Sequence, residues 1–435
     1  MSIFGALYSG VSGLLANSDA LGMIADNISN ANTVGYKETS PVFSTLVDQP
    51  PGATTYSPGG VLAKPFSAVD QQGLLQASSS ATDLAIQGGG FFVVNSAAAG
   101  ASNNGTFTFT RAGSFTIDAN GNLRNSAGLF LQGQALTPAQ AQAIQNGNFD
   151  QLTATSLTSL QTVNVSGLSG TATPTSTVTL AANLPAGDTV GSPSRTMTVP
   201  VFDSLGNEHD LTLNLVRTAT ANQWQVTGSL SNAGTSTVTI AGGDNLIQFN
   251  SDGTLNLAGS TFANPNALSI AWDPAITGAT SPQTLSFNLG TNAQANGLSQ
   301  FGGPLAVTKI DQNGIRSGTF TGVSIDSHGV VTANFDNGEQ QPIFIIPIAT
   351  FTNPDGLAAQ TGNTYLQTNT SGNFLLQQSG SGAAGTINPS SLEGSTVDIA
   401  TEFSKMIVTQ NAYSADAKVM TTADQMLQTL MNSKQ

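Results

Sequence analysis

Cysteine is absent from the 435-residue sequence. The chain therefore forms no disulfide bond and offers no thiolate to a metal. Histidine is nearly absent too: His328 falls in a predicted hairpin turn and His209 at the entry to a predicted strand. Metal sites and catalytic triads that need histidine are therefore not expected. We expect no metal site, no catalytic residue and no cofactor, and the composition favours a protein that is not an enzyme.

Charged residues are scarce: they make up 8% of the chain, against about 25% in an average soluble protein. With only 11 Lys and Arg and a net charge of −14, a nucleic-acid partner is not expected, because phosphate binding needs clustered basic residues. The 39% of hydrophobic residues argues against disorder. Small polar residues must cover the surface, which suits short strands, tight turns and extensive contacts between subunits.

Long apolar runs are missing as well. No run of about 20 apolar residues occurs, so we expect no membrane insertion. Residues 1–13 lack the basic start and continuous apolar core of a secretory signal peptide. The protein is therefore expected either to stay inside the cell or to leave by a route that needs no cleaved signal.

The two ends of the chain predict helices. Apolar residues recur there at nearly heptad spacing, and the opposite faces are small and almost uncharged. The second helix is predicted to begin after an N-cap at Thr396 or Asp398, with Glu402 in its first turn. We interpret these stripes as self-assembly surfaces, made of Leu7, Val11, Leu14, Leu21, Ile24 and Ile28 at one end and Ile399, Phe403, Met406, Tyr413, Met420, Leu427 and Met431 at the other.

An alternative is that both helices belong to the core of an ordinary globular domain. Pairing them within one chain closes a loop of about 400 residues, which costs roughly 5 kcal/mol, so the pair alone is marginal. The lack of charge on the second face favours assembly. We therefore hypothesise that the ends fold only when subunits polymerise.

The long middle of the sequence predicts strands and hairpins. Turn dipeptides flanked by alternating apolar residues occur at 120–121, 252–253, 313–314, 328–329 and 337–338. Predicted strands include 106–110, 114–118, 211–216, 322–326, 330–335 and 343–348. A short helix is predicted over 137–146, where Pro138 suits the first turn.

Three local patterns are better explained by backbone structure than by chemistry. Residues 88–94 lack the Gly-Lys-Ser/Thr ending of a phosphate loop and lead into a strand. Residues 118–122 lack the distal Glu of a calcium loop and read as a hairpin turn. Asp203 with Glu208 or Asp210 offers a glycosidase-like acidic pair, but nothing marks a cleft.

The chain becomes recognisable at residues 24–37, which closely resemble the flagellar axial proteins, the rod and hook subunits of bacteria. The motif residues there are Asn27, Asn30, Asn32, Thr33, Gly35, Tyr36 and Lys37. Residues 397–403 and 426–430 resemble the matching C-terminal end of the family. Similarity to the body of hook and distal-rod subunits covers 90–94, 110–115 and 118–123, and similarity to hook subunits in particular covers 201–209 and 348–357.

This resemblance implies a subunit exported through the flagellar type III apparatus without a cleaved signal, and located outside the cell in the flagellum. Many copies of it would form a homopolymer beneath a cap, a curved hollow tube that transmits torque while it bends. Its other partners would be the distal rod, the hook cap and the hook–filament junction proteins. Two alternatives stay open: a distal-rod subunit, and an extracellular β-rich adhesin or binding module.

The predicted fold is mainly β with α-helical termini, a nested multidomain axial protein. The terminal helices (1–38 with 391–435) would form a coiled-coil-like core domain, the inner tube. Two β-rich domains are inserted in succession, a middle one (65–149 with 304–390) and an outer one (150–303). The proline-containing stretch 39–64 is predicted to be an extended connector.

Overall fold

The computed structural model describes residues 3–46, 59–98, 105–168, 170, 172–231, 234–240, 245–262, 267–273, 275 and 277–432. The chain forms two compact units. The first comprises Met1–Gly167, Val323–Ala333 and Gln341–Gln435, and the second comprises Leu168–Gly322 and Asn334–Gln340. The finer division into core, connector, middle and outer parts stays a prediction.

Helices lie at both ends of the chain, and the fold is mainly β between them, as predicted. They are α1 (Ile3–Ser29), α2 (Pro138–Gln145) and α3 (Ile399–Asn432), with 3₁₀ turns at Leu157–Ser159 and Pro354–Gly356. Asp398 caps α3, because its Oδ1 accepts the backbone N–H of Thr401 at 2.7 Å. Thr137 and Gln140 form a capping box at the start of α2, so the short predicted helix is confirmed.

The first unit begins with α1 and a series of short strands. These are β1 (Thr39–Thr45), β2 (Val61–Ser67), β3 (Leu75–Ala77), β4 (Leu84–Gln87), β5 (Phe91–Asn95), β6 (Phe107–Thr110), β7 (Phe115–Ile117), β8 (Leu123–Asn125), β9 (Phe130–Ala135) and β10 (Gln161–Thr162). β1 and β2 pair with each other antiparallel in register from Thr39–Ser67 to Thr45–Val61. The predicted extended connector is therefore a two-stranded hairpin arm, apart from residues 47–58, which lie outside the described part of the chain.

Proline does not break this arm, because Pro41 and Pro65 face each other in the register. In a two-stranded sheet every strand is an edge, and an edge strand tolerates a residue without an N–H. The proline content that suggested an open connector is thus compatible with paired strands.

The second unit contains two sheets. Its strands are β11 (Thr177–Asn183), β12 (Arg195–Phe202), β13 (Glu208–Arg217), β14 (Gln223–Leu230), β15 (Thr237–Ile240), β16 (Leu246–Phe249), β17 (Leu255–Asn256), β18 (Ala267–Ala271), β19 (Gln283–Asn288), β20 (Leu298–Ser299) and β21 (Ala306–Gln312). One sheet has the order β12-β13-β14-β16-β17, and the other has the order β15-β18-β19-β11-β20 with β21 also paired to β11.

Buried side chains from both sheets form one core in the second unit. Alternation along β12 and β13 sends every second residue inward. The two tryptophans of the sequence lie in this core, and both indole N–H groups find acceptors: Trp224 donates to Gln300 and Trp272 to Gln283. The polar N–H group of each indole is therefore hydrogen-bonded inside an apolar core.

The chain then completes the sheet of the first unit. The remaining strands are β22 (Phe320–Ile325), β23 (Val330–Phe335), β24 (Gln340–Ile345), β25 (Ile348–Thr350), β26 (Ala358–Gln360), β27 (Thr364–Leu366), β28 (Leu375–Gln377), β29 (Thr386–Pro389) and β30 (Ser391–Glu393). The main path is β22-β23-β24-β9-β5-β6-β27-β26, and aromatic contacts of Phe91 and Phe109 with Phe351 pack its core. The small sheets β4-β29 and β3-β30 join early strands to late ones.

Two sequence predictions in the β regions need correction. The strand predicted over 343–348 is two strands, β24 and β25, separated at Ile346-Pro347, because proline cannot donate to a ladder. Four of the five predicted turn dipeptides place glycine at positive φ, but Gly314 is not among them. There Asn313 instead accepts the backbone N–H groups of Ser176 and Thr177.

Candidate assembly surface and the junction at its base

α1 and α3 run antiparallel and pack closely along a row of small residues. Gly10 lies opposite Met420, and a Cβ added to Gly13 would lie 2.5 Å from Oδ2 of Asp416. Asn17 donates its amide to the same carboxylate at 2.9 Å. Glycine at these two positions therefore lets α3 approach α1 to the distance of this hydrogen bond.

The contact between the helices overlaps the predicted stripes in part, and the role of those stripes in self-assembly stays a prediction. Ile24 is buried, and Leu7, Leu14, Leu21, Ile28, Met406, Met420 and Leu427 are partly buried. The other predicted seam residues are exposed, namely Val11, Ile399, Phe403, Tyr413 and Met431. Because close approach needs small side chains on one helix, the contact also includes Gly10 and Gly13 of α1, which a search for large apolar residues passes over.

α3 is left largely bare. Over its 34 residues only Glu402 and Ala423 are buried. Large apolar side chains are exposed along it, including Ile407, Val408, Val419 and Met426. Within the described residues, no helix is both long and apolar enough to span a membrane. α3 therefore leaves these apolar side chains exposed among polar ones, with no cover from the described residues of the single chain.

At the base of the helix pair, Asn27 joins both helices to β1. Its amide N–H donates to Glu402 Oε2 and to the carbonyl of Thr39, each at 2.9 Å. Its oxygen accepts the Thr39 N–H at 3.0 Å and the Tyr36 hydroxyl at 3.2 Å. Asn27 is itself buried, so one side chain links the last turns of α1, the first turn of α3 and the start of β1.

A buried charge cluster lies below Asn27. Lys37 Nζ lies 2.6 Å from Glu393 Oε1, and Arg111 Nη1 lies 3.2 Å from Glu393 Oε2, with all three side chains at most 1% exposed. Glu393 also accepts the N–H of Gly73 at 2.8 Å, and Arg111 donates to the carbonyl of Gly88 at 2.8 Å. Burial lowers the pKa of Lys37 and that of Arg111, while the charge of Glu393 opposes both shifts.

A second ionic contact links the hairpin arm to α3. Lys405 Nζ lies 2.6 Å from Glu38 and 2.7 Å from the buried Glu402. Burial works against both ions, but the hydrogen bonds outweigh it: the pKa of Glu38 is lowered by Lys405 and Ser40, and the pKa of Lys405 is raised by its two carboxylate partners. This contact is favourable only while both partners are charged.

The other motif residues shape the turn after α1. Gly35 adopts φ +68°, and a Cβ there would lie 2.8 Å from the backbone nitrogen of Ala112, so a side chain is excluded. Thr33 donates to Asn30 at 3.0 Å, whereas Asn32 is exposed. The motif therefore builds the joint between the helices and the β part of the first unit.

Sequence reasoning missed Glu38, Arg111, Glu393, Glu402 and Lys405 as members of this joint. One usable signal was present. In a chain with 8% charged residues, charges that lie beside both recognisable end motifs are unusual, and buried charges need partners.

The candidate chemical sites resolve into structural turns. Asp203 is fully buried and accepts the N–H groups of Leu205 and Asn207 at 2.8 and 2.9 Å. His209 Nε2 lies 3.2 Å from the same carboxylate, and its ring packs on Trp272. Asp118 closes its own turn in the same way. Across the described residues, no group of His, Asp and Glu is arranged to hold a metal ion.

Family models of flagellar axial proteins match four parts of the chain. Their descriptions are flagella basal body rod protein (residues 7–37), flagellar hook protein FlgE/F/G D1 domain (85–153), flagellar basal body protein FlaE D2 domain (179–315) and flagellar basal body rod FlgEFG protein C-terminal (388–433). The first and last models cover the two helices with their joint, and the others fall in the β regions.

Curated relatives match over the whole length. The chain is 36% identical to the flagellar hook protein FlgE of Rhizobium meliloti and 31% identical to that of Caulobacter vibrioides, with 100% of both chains covered in each case. A crystal structure of the Helicobacter pylori flagellar hook protein FlgE2 aligns with a TM-score of 0.42 at 13% identity, over 72% of this chain and 99% of that one. This chain belongs to the family of bacterial flagellar hook proteins.

Proposed function

We propose that the chain is the structural subunit of a flagellar hook and that its copies polymerise through α1 and α3 into a flexible hollow tube, which carries motor torque from rod to filament. The observation that carries the proposal is the bare surface of α3, of which only Glu402 and Ala423 are buried. A helix gains most of its stability from packing an apolar face, so neighbouring copies are the natural cover for this one.

A torque-bearing tube also needs a stiff connection between its inner and outer parts within each subunit. The joint around Asn27 and Glu393 supplies such a connection, because buried charged hydrogen bonds fix the directions of the groups that they join. In this proposal residues 1–38 with 391–435 form the inner tube, 65–149 with 304–390 the middle layer and 150–303 the outside.

The remaining partners follow from the same role. The subunit would leave the cell through the flagellar type III apparatus without a cleaved signal, and it would meet the distal rod, the hook cap and the hook–filament junction proteins. Full-length similarity to hook proteins favours this role over that of a distal-rod subunit. The bare α3 argues against a monomeric adhesin, which would gain nothing from exposing it.

The test is negative-stain electron microscopy of the purified chain before and after salting out, which strengthens apolar burial. The full chain should form uniform tubes that bend. A chain truncated after Gln410 retains Glu402 and Lys405 at the joint but lacks most of α3, so it should stay monomeric while its tryptophan emission remains native. Tubes from the truncated chain, or monomers from the full chain under all salt conditions, would contradict the proposal.

A further inference from the structure

α1 carries a second apolar stripe, which faces away from α3. Its members are Phe4, Tyr8, Val11 and Leu15, spaced by four, three and four residues as in a coiled-coil seam. Phe4 is 72% exposed and Leu15 is 63% exposed. We call this set the outer stripe of α1; it differs from the predicted stripe except at Val11.

A groove of about 200 Å³ runs beside this stripe, between α1 and the hairpin arm. Tyr8, Val11 and Leu15 form one wall, and Leu46 and Leu62 belong to the other. The surface of α1 therefore presents a ridge beside a groove. Helices pack against each other by fitting such ridges into grooves.

α3 carries an outer stripe of its own, formed by Val408, Ala415, Val419 and Met426. Spacings of seven, four and seven residues keep these positions on one side of the helix. Val408 is 68% exposed and Met426 is 49% exposed, so neither is covered by α1 of the same chain. Val419 lies at the border of the face that packs on α1, since its Cγ1 would be 3.7 Å from a Cβ added to Gly10, and it is still 46% exposed. Ala415, in the middle of the stripe, leaves room for a large side chain from a partner.

The two outer stripes are bordered by opposite charges. Asp19 lines the groove on α1, and the described helix has no Lys or Arg at all. Lys418 is exposed beside the outer stripe of α3. Neither side chain is within 4 Å of an opposite charge among the described residues, although other Lys and Arg side chains there do form ion pairs.

We infer that the outer stripe of α3 in one subunit packs into the groove and outer stripe of α1 in a second copy of the chain, with Lys418 placed toward Asp19. This inference rests on the proposed function and identifies which faces meet. A parallel, in-register pairing of α1 with α1 would set Asp19 beside Asp19, and the same pairing of α3 with α3 would set Lys418 beside Lys418. Like charges at a contact are unfavourable, so unlike stripes meet.

Because the two stripes differ, the contact is heterologous. Each subunit offers one α1 face and one α3 face, so the second copy can bind a third in the same way, and the interface generates an open polymer instead of a closed dimer. The contact therefore accounts for growth without a fixed number of subunits.

Paired cysteines test the contact, and the cysteine-free chain gives a clean background. Full-length Leu15→Cys is combined in turn with Val408→Cys, Ala415→Cys, Val419→Cys or Met426→Cys, and tubes are oxidised after their form is checked by electron microscopy. At least one pair should yield a ladder of covalent multimers beyond the dimer. Leu15→Cys alone and each α3 cysteine alone should remain monomeric on a denaturing gel.

The matched control is Leu15→Cys with Thr421→Cys, whose second cysteine lies two residues after Val419 but on another side of α3; it should give no ladder. Covalent dimers from Leu15→Cys alone would show that α1 meets α1 and overturn the inference. Normal tubes without a ladder from any pair would overturn it while leaving the proposed function intact. A wild-type chain that forms no tubes overturns both.

Charge exchange provides a readout that needs no crosslink. Asp19→Lys or Lys418→Asp alone should raise the lowest concentration at which tubes form by up to about fivefold, the scale of one exposed ion pair. The double variant Asp19→Lys with Lys418→Asp should return it to the wild-type value. Additive losses in the double variant would contradict the pairing of these two faces.

Discussion

The charge cluster around Glu393 allows a quantitative prediction for Glu393→Gln. The substitution preserves the shape of the side chain but removes its charge. Lys37 and Arg111 then lose their one salt-bridge partner among the described residues, and both are at most 1% exposed. Removing one partner of a buried ion pair costs about 3–5 kcal/mol, because the remaining charge stays desolvated without compensation.

Two spectroscopic signals separate the consequences for the two units. Both tryptophans, Trp224 and Trp272, lie in the second unit, whereas α1, α2 and α3 all lie in the first. In urea denaturation of the monomer, circular dichroism at 222 nm therefore follows the first unit and tryptophan emission follows the second. With a urea dependence of about 3 kcal/mol per molar, Glu393→Gln should lower the circular dichroism midpoint by about 1–2 M and leave the emission midpoint unchanged.

The matched control is Asp311→Asn. Asp311 also lies near a lysine, Lys309, at 3.4 Å, but both side chains are more than half exposed, and such pairs contribute about 0–1 kcal/mol. If Glu393→Gln shifts the helical signal no more than this control shifts its own unit, the cluster does not hold the joint. If both signals shift together for Glu393→Gln, the two units do not unfold independently.

Three further predictions concern the same structure. Gly35→Ala should destabilise the first unit by about 1–3 kcal/mol, since its φ is +68° and Cβ would meet the backbone of Ala112; Gly22→Ala in α1, where nothing lies within 4 Å of the added Cβ, should instead stabilise it by about 0.5–1 kcal/mol in the same urea titration. The wild type should melt above Lys405→Met near neutral pH. The lowered pKa of Glu38 means that this advantage disappears as the pH falls through that pKa. The raised pKa of Lys405 means that it is lost again as the pH rises through that pKa, which lies above the ordinary lysine value of 10.5; an advantage that persists at pH 2 would refute the contact. Asp203→Ala should lower the free energy of unfolding of the second unit by about 1–3 kcal/mol, because the turn N–H groups of Leu205 and Asn207 lose their acceptor. The tryptophan-emission midpoint should therefore fall, and the 222 nm midpoint should stay in place.

Local signals in the sequence predicted the helices and many of the turns. The Asp398 cap, the capping box at Thr137 and the glycine turns at residues 121, 253, 329 and 338 depend on interactions within a few residues. Such interactions can be recognised from a short contiguous stretch of sequence. The start of α3 and the bounds of α2 were therefore predictable to within one or two residues.

The joint was not predictable in the same way, because its partners are far apart in sequence. Lys37 and Glu393 are separated by 356 positions, and Asn27 and Glu402 by 375. A single sequence shows that these charges exist but not that they meet. Part of the helix contact was missed for a related reason: Gly10 and Gly13 of α1 carry no apolar signal, yet they set how closely the two helices approach.

The hypothesis that the ends fold only on polymerisation differs from the structure, in which α1 and α3 are already paired. That hypothesis took the loop-closure cost from a free loop of about 400 residues between the two ends. In the folded first unit β3 pairs with β30 from Leu75–Glu393 to Ala77–Ser391, and Thr396 donates its N–H to the carbonyl of Tyr36 at 3.1 Å. Folding of the β part therefore brings the helix bases together, and little loop entropy remains to oppose their pairing.

The outer stripes of α1 and α3 remain exposed in the single chain. Apolar area left in water forgoes about 25 cal/mol per Å², and pairing α1 with α3 leaves Phe4, Leu15 and Val408 more than half exposed. Since the joint fixes both helices to the β part of the first unit, a neighbour that covers the stripes is held to that part as well. In the proposed tube, assembly and force transmission would therefore depend on the same two helices, through different faces.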